Sequence, residues 1–175
     1  DKFPLVKFKN IEDALQKIRA IKEEEEILLL KKSAKLLYEG FEYMCTQLKE
    51  GIKEKELAWI FESYCREKGA EGLSFSPIVA FGINSASPHH SSGESRLKKA
   101  DTVLIDIRVM LNHYASDMTR TLFFGEGSNQ MKKISDVVKN AQKAALEKIR
   151  PQVNLVDLDL AARAVMKKAG LEKHF

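Results

Sequence analysis

The stretch Asp106-Ile-Arg-Val-Met-Leu-Asn-His-Tyr-Ala-Ser-Asp117 decides the fold of this 175-residue chain. It connects two extended runs, Thr102–Val109 and Tyr114–Phe124. The first run is β-branched and almost wholly apolar, which is typical of a central strand, and the second is predicted to be its antiparallel partner. The segment therefore predicts a β-hairpin that carries one aspartate on each strand.

The two aspartates of this hairpin are candidate metal ligands. Asp106 interrupts an apolar strand, where an unpaired carboxylate is costly, and Asp117 follows 11 residues later. A tight turn between Leu111 and Asn112 would place the two carboxylates opposite each other, with Cβ atoms about 5 Å apart. Such carboxylates repel unless a cation lies between them, and they commonly hold two metal ions roughly 3.5–4 Å apart. The alternative is that Asp106 ends a strand and Asp117 caps a turn. The spacing, the apolar strand and the flanking Thr119-Arg120-Thr121 favour metal ligation.

Helices and one further strand are predicted around the hairpin. Apolar residues recur at spacings of three and four, the period of one helix face, in two segments before the hairpin and two after it. These segments cover about residues 27–48, 53–68, 130–150 and 155–168. Residues 77–81 predict a short buried strand, and the Gly-, Ser- and Pro-rich residues 82–93 predict a loop.

The two helix pairs resemble copies of one another. A shift of 101 residues places Ile52 on Val153 and Gly69 on Gly170. A strand, a loop and the hairpin follow the first copy from about residue 75, so their counterparts are expected from about residue 176, beyond Phe175. The chain is therefore predicted to hold one and a half repeats.

Composition limits the classes of function. Apolar residues make up 44% of the chain and charged residues 31%, as in globular proteins. The formal charge of +4 comes from interspersed signs, which argues against a nucleic-acid surface. The longest aliphatic runs are too short to cross a bilayer, so no membrane partner is expected. Cys45 and Cys65 lie in helix patterns without a disulfide framework, which favours a cytoplasmic location.

Two motifs carry a resemblance to a known family. The string Val103-Leu-Ile-Asp106, with Tyr114-Ala-Ser-Asp117-Met-Thr-Arg-Thr121, resembles the metal hairpin of the pita-bread metallopeptidases. The string Ile78-Val-Ala-Phe-Gly-Ile-Asn-Ser-Ala-Ser-Pro-His89-His90 resembles their substrate-side loop. The Pro-His pair and the leader at residues 18–27 are more similar to Xaa-Pro aminopeptidases and prolidases than to methionine aminopeptidases.

The resemblance implies a fold, an activity and roles for individual residues. The fold would be the α+β pita-bread class, with helices on one face of a curved, mostly antiparallel sheet. The activity would be metal-dependent hydrolysis of the bond between an N-terminal residue and proline. Asp106 would serve one metal ion, Asp117 would bridge two, and His89 would stabilise the tetrahedral intermediate or move a proton. Arg120 would support the ligands from behind, although local pairing within the strand is an equal alternative; His90 and His113 receive no role.

The same resemblance implies cofactors, partners and domain organisation. Two divalent metal ions are expected, Mn²⁺ first and Co²⁺ or Zn²⁺ as alternatives. Proline-containing peptides or dipeptides would be substrates, and a second copy of the chain would form a homodimer. Residues 1–20 would be a linker from an N-terminal domain, and residues 21–175 the N-terminal part of the catalytic domain. The family's other ligands, one His and two Glu, would lie beyond the chain, so we expect it to bind metal weakly and to be inactive alone.

Three positions depart from the family pattern, which usually has glycine where this chain has Ala100, Arg108 and Gln152. Arg108 lies two residues after Asp106, so it adds bulk and positive charge beside the proposed metal site. This departure favours a second hypothesis, in which the chain is a non-catalytic pita-bread module that binds peptides or proteins.

Overall fold

The computed structural model of the chain describes residues 9–73 and 75–175. They form, in chain order, α1 (Glu12–Ala20), α2 (Glu24–Thr46), α3 (Glu54–Glu67), β1 (Ile78–Phe81), β2 (Thr102–Leu111), β3 (Tyr114–Phe123), α4 (Asn129–Leu146) and α5 (Leu155–Lys168). Two compact units result: residues up to Lys98 with Thr102–Leu122, and Lys99–Asp101 with Phe123–Phe175. The predicted strands and the four predicted helices are all present, with bounds shifted by a few residues.

Helix α1 falls within the predicted linker over residues 1–20. None of its residues is buried, as expected of a segment outside the core. Residues 1–8 of that prediction lie outside the described residues, and the assignment of a linker and a catalytic domain stays a prediction.

Helix α2 begins at a run of acidic residues, Glu23–Glu26. The backbone N–H of Glu23 donates to the Glu26 carboxylate at 2.8 Å, and the two residues form a capping box that satisfies N–H groups of the first turn. The acidic run also complements the positive end of the helix dipole. After α2 ends at Thr46, Gly51 adopts a φ of +86° and the chain turns into α3.

The three strands form one sheet in the order β1-β2-β3. Strand β1 runs antiparallel to β2, and Ile78 pairs with Asp106. Alternate residues of β2 are fully buried, which gives the sheet a core face covered by α2 and α3. These buried residues are Val103, Ile105, Ile107 and Val109. Asp106 and Arg108 lie between them in sequence, so strand alternation puts both on the opposite face, which we call the open face.

The apolar core of the first unit lies between these helices and the sheet. Its largest fully buried side chains are Phe61, Met44, Leu57, Leu97 and Ile105. In the second unit, α4 and α5 pack against each other around a smaller core of Ala141, Ala162 and Met166.

The internal repeat is visible in the local structure. Helix α3 spans Glu54–Glu67 and, shifted by 101 residues, coincides with α5 at Leu155–Lys168. The backbone repeats as well, because Gly51 has a φ of +86° and its counterpart Gln152 a φ of +64°. Gln152 therefore occupies a left-handed position that glycine fills in the first copy.

The departures from the family's glycines have different physical meanings. Ala100 and Gln152 both adopt a positive φ, +68° and +64°, so the backbone conformation accounts for a glycine preference at these positions. Arg108 lies within β2 and is not among the described residues with a positive φ. A glycine preference at position 108 therefore concerns the space and charge of the side chain.

Gln152→Gly is expected to stabilise the chain because it removes the left-handed strain of a residue with a Cβ atom. The free energy of unfolding should rise by about 0.5–1 kcal/mol. Gln142→Gly, inside α4, is the matched control and should lower it by about 1 kcal/mol. Urea denaturation followed by circular dichroism measures both; equal destabilisation by the two variants would contradict the role of the backbone at Gln152.

Candidate metal-binding hairpin and histidine loop

The hairpin turn consists of Asn112 and His113, which link Leu111 of β2 to Tyr114 of β3. Both turn residues have a positive φ, +50° and +64°, as a two-residue type I′ turn requires. Asparagine and histidine adopt this conformation more readily than most residues with a Cβ atom. The centre of the turn therefore lies one residue later than the sequence analysis placed it.

This shift changes which side chains face each other across the hairpin. Counting back from the turn, Asp106 lies opposite Thr119, and Arg108 lies opposite Asp117. The contacts agree: the Thr119 hydroxyl donates to Asp106 Oδ1 at 2.8 Å, and Arg108 Nε lies 3.1 Å from Asp117 Oδ1. The prediction that the two aspartates are directly opposed is wrong. They are diagonal neighbours on the open face, where Cα atoms are about 7–8 Å apart.

Arg108 places a positive charge between the two aspartates on the open face. Its hydrogen bond with Asp117 is the main cause that raises the pKa of the guanidinium above its ordinary value, and the charges of both aspartates add to it. The guanidinium also lies over the Phe75 ring, 4.5 Å from the centroid. The open face of the hairpin thus combines two carboxylates with one fixed cation.

The donor set of the hairpin fits part of a metal site. Asp106 and Asp117 offer carboxylate oxygens, the ligands that suit Mn²⁺ and similar ions, and both belong to one face of one hairpin. Within residues 9–73 and 75–175, no group of three or more His, Cys, Asp or Glu side chains gathers around a common point. The described residues therefore supply two metal-ligand candidates and no complete site.

His89 lies on the loop that follows β1. The chain leaves β1 through a 3-10 helix, Gly82–Ala86, and His89 is exposed three residues further on. It lines a cleft of about 610 Å³ together with Trp59, Phe75 and Ile78. Ile78, which lines the cleft, pairs with Asp106 across β1 and β2. The cleft therefore lies next to Asp106 on the sheet.

The histidine loop is held by Glu54, the first residue of α3, whose side chain is fully buried. Glu54 Oε1 accepts the Phe81 N–H at 2.9 Å and the Asn84 side-chain amide at 2.8 Å. Glu54 Oε2 accepts the Gly93 N–H at 3.0 Å and lies 2.8 Å from His90 Nε2, which donates because a carboxylate only accepts. One carboxylate therefore fixes both ends of the loop that carries His89.

The ionisation of Glu54 follows from these contacts. Burial raises the pKa of the carboxyl, but the hydrogen bonds from Asn84, His90 and the two backbone N–H groups lower it more. The net effect holds the pKa of Glu54 below its ordinary value of 4.5. The loop is thus anchored to a carboxylate that stays charged at neutral pH.

Sequence reasoning missed the Glu54 contacts. An acidic residue in the first turn of a helix is ordinarily explained by the helix dipole. Its partners lie 27–39 residues away in sequence, and no short spacing connects them. The only sequence feature that pointed toward these contacts was the His89-His90 pair, because His90 contacts Glu54 in the structure.

The remaining site candidates contact nearby backbone and side chains. The Arg120 guanidinium donates to the Thr119 carbonyl oxygen at 2.8 Å, and strand alternation directs Arg120 away from the face of Asp117. This contact is what the local-pairing alternative expects, and support of the ligands by Arg120 stays a prediction. His113 lies in the turn, and its ring is 3.4 Å from the Glu71 carboxylate, so a structural role explains it.

The comparisons with known proteins decide the family. The sequence model of metallopeptidase family M24 matches residues 29–175. The chain belongs to metallopeptidase family M24. The Bacillus subtilis protein YkvY, which its name assigns provisionally to the dipeptidases, is 42% identical over 168 residues, 96% of this chain and 46% of YkvY.

Solved structures agree with this family. A prolidase from Pyrococcus furiosus superposes with a TM-score of 0.92 at 34% identity, over 96% of this chain and 50% of that one. An X-Pro aminopeptidase from Thermotoga maritima gives 0.91 at 32% identity, over 95% of this chain and 47% of that one. The resemblance and the α+β pita-bread fold class are confirmed. This M24 chain spans about half the length of the relatives it matches.

Among the described residues, no helix has both the length and the apolar character needed to cross a bilayer.

Glu54→Gln should destabilise the first unit. Whichever way the amide is oriented, its NH₂ group faces two of the four donors, and the charge that strengthens their hydrogen bonds is lost. We expect the free energy of unfolding to fall by on the order of 3 kcal/mol at pH 7. Glu62→Gln is the matched control on α3; it removes only an exposed ion pair with Arg66 and should cost below about 0.5 kcal/mol.

The wild-type chain and Glu54→Gln together also test the pKa of Glu54. A carboxyl with a lowered pKa in the folded state stabilises the fold above pH 4.5, and this contribution disappears as the pH falls through the folded-state value. The wild-type chain should therefore lose more stability between pH 6 and pH 3 than Glu54→Gln does. Parallel losses in urea titrations would refute the role of the ionised carboxylate.

Proposed function

We propose that the protein to which this M24 chain belongs hydrolyses the peptide bond between an N-terminal residue and proline. The observation that carries the proposal is the pair Asp106 and Asp117 on the open face of the hairpin of an M24 chain. The names of its structural neighbours, a prolidase and an X-Pro aminopeptidase, support proline-containing peptides or dipeptides as substrates.

Asp106 and Asp117 would hold the metal ions in this proposal. Two divalent ions held there, Mn²⁺ by preference, would supply Lewis acidity toward the scissile carbonyl and a nucleophile derived from water near neutral pH. Asp117 would bridge the two ions, and Asp106 would bind one of them. Arg120 would stabilise β3 around these ligands through its bond to the Thr119 carbonyl oxygen.

His89 would act on the substrate itself. Its imidazole is exposed in the cleft beside Ile78, on a loop that Glu54 fixes, so the ring is free to meet a bound peptide while its backbone stays in place. There it would donate a hydrogen bond to the developing oxyanion or move a proton at the scissile amide.

The chain contains only part of this machinery. Because it spans about half the length of its relatives, we propose that the remaining ligands come from sequence outside it, as the family pattern implies. On its own the 175-residue chain would bind metal weakly and hydrolyse nothing. The whole protein would act in the cytoplasm as a homodimer.

A second candidate function is a peptide- or protein-binding module without catalysis. The ion pair between Arg108 and Asp117 favours it, because this pair already neutralises one proposed ligand without any metal. The two candidates differ in what Asp106 and Asp117 are for: ligands in the first, and members of a structural ion-pair group in the second.

Asparagine variants of the two aspartates separate these candidates. In the intact protein to which this chain belongs, assayed with a glycyl-proline dipeptide and Mn²⁺, Asp106→Asn or Asp117→Asn should lower kcat/KM by about 10³-fold or more. Asp159→Asn, which alters only an exposed ion pair on α5, is the control and should leave it unchanged.

Other outcomes overturn particular parts of the proposal. Hydrolysis by both aspartate variants at the wild-type rate would eliminate the hairpin as the metal site. Absence of hydrolysis in the wild-type protein, with dipeptide binding that survives both substitutions, would favour the binding module. Robust hydrolysis by the 175-residue chain alone would refute the need for further ligands.

A further inference from the structure

We propose that Arg108 is a built-in counter-cation of the hairpin that competes with divalent metal ions for Asp117. Metal loading would then require the guanidinium to leave the Asp117 carboxylate. This inference rests on the proposed role of Asp106 and Asp117 as ligands and adds a residue that controls how tightly they bind metal.

The position of the turn brings the competing charge to the ligand. Because Asn112 and His113 form the two turn residues, Arg108 lies directly opposite Asp117, and the two side chains share the open face. Their Nε and Oδ1 atoms are 3.1 Å apart. With the turn one residue earlier, Asp106 would occupy the place opposite Asp117 and the guanidinium would not be in register with it.

The guanidinium is held from a second side. Phe75 lies under it, with the ring centroid 4.5 Å from the guanidinium carbon. A planar guanidinium stacks on an aromatic ring and forms a directional bond to a carboxylate at the same time. Arg108 is therefore oriented toward Asp117 by packing as well as by charge.

If Asp117 bridges two ions with both of its oxygens, one of these oxygens would have to serve both the arginine and the metal. Asp117 Oδ1 faces the guanidinium, and Asp106 Oδ1 already accepts the Thr119 hydroxyl. A divalent ion bound between the two aspartates would displace the guanidinium and then lie within a few ångströms of a like charge. Both effects weaken metal binding, in the way a neighbouring cation disfavours a second positive charge.

The backbone does not require this residue. Arg108 lies in the extended conformation of β2, and its side chain is 44% exposed. Removal of its charge should therefore leave the hairpin folded. Arg108→Gln removes the charge and keeps much of the side chain, whereas Arg108→Lys keeps the charge without the planar guanidinium. Arg66→Gln, on α3, is the control that makes the same change in net charge away from the hairpin.

Manganese titration of the intact protein to which this chain belongs tests the inference without any catalytic assay. Free Mn²⁺ is measured by electron paramagnetic resonance as protein is added, and circular dichroism checks that each variant is folded. We expect Arg108→Gln to bind Mn²⁺ about tenfold more tightly than wild type. Arg108→Lys should stay within about twofold of wild type, and so should Arg66→Gln. The gain should vanish when Asp117→Asn is combined with Arg108→Gln.

Two results would overturn the inference, and they have different consequences for the proposed function. Equal Mn²⁺ affinity in wild type and Arg108→Gln, lost in both on Asp117→Asn, would refute competition by Arg108 and leave the metal site in place. Mn²⁺ binding that is absent, or insensitive to Asp117→Asn, in both proteins would remove the hairpin as a metal site and the inference with it.

Discussion

Glu54 carries a carboxylate with no exposed surface, and four hydrogen-bond donors converge on it. A buried charge is tolerated only when nearly all of its acceptor capacity is used. The start of α3, the end of β1 and the loop that carries His89 must therefore fold together, because each contributes to one small polar site. Within this anchored loop, His89 is exposed and lines the cleft.

The hairpin obeys a second constraint, the alternation of its central strand. Four fully buried side chains of β2 fix which face packs against α2 and α3. Polar side chains can then occupy the alternate positions without disturbing the packing of the core. Asp106 and Arg108 occupy two of them, so strand alternation places the charged group on the face opposite the core.

The sequence predicts the fold well because its signals are local. Apolar periodicity locates the four helices that pack in the two units, and the β-branched run locates β2. The repeat is equally readable: the 101-residue shift aligns α3 with α5 and Gly51 with Gln152. The site is predicted less well, because it depends on single-residue register and on distant partners. The turn lies one residue later than expected, which exchanges Asp106 for Arg108 opposite Asp117, and the partners of Glu54 lie too far along the chain for any spacing to reveal.

We propose that divalent metal binds between the two hairpin aspartates of this M24 chain. Anomalous diffraction from crystals of the intact protein grown with Mn²⁺ tests this proposal, because the scattering locates the ion without any assumption about activity. We predict the strongest anomalous peak between the carboxylates of Asp106 and Asp117, with the Arg108 guanidinium turned away from it. A peak at the acidic start of α2, with none at the hairpin, would refute metal binding between the two aspartates.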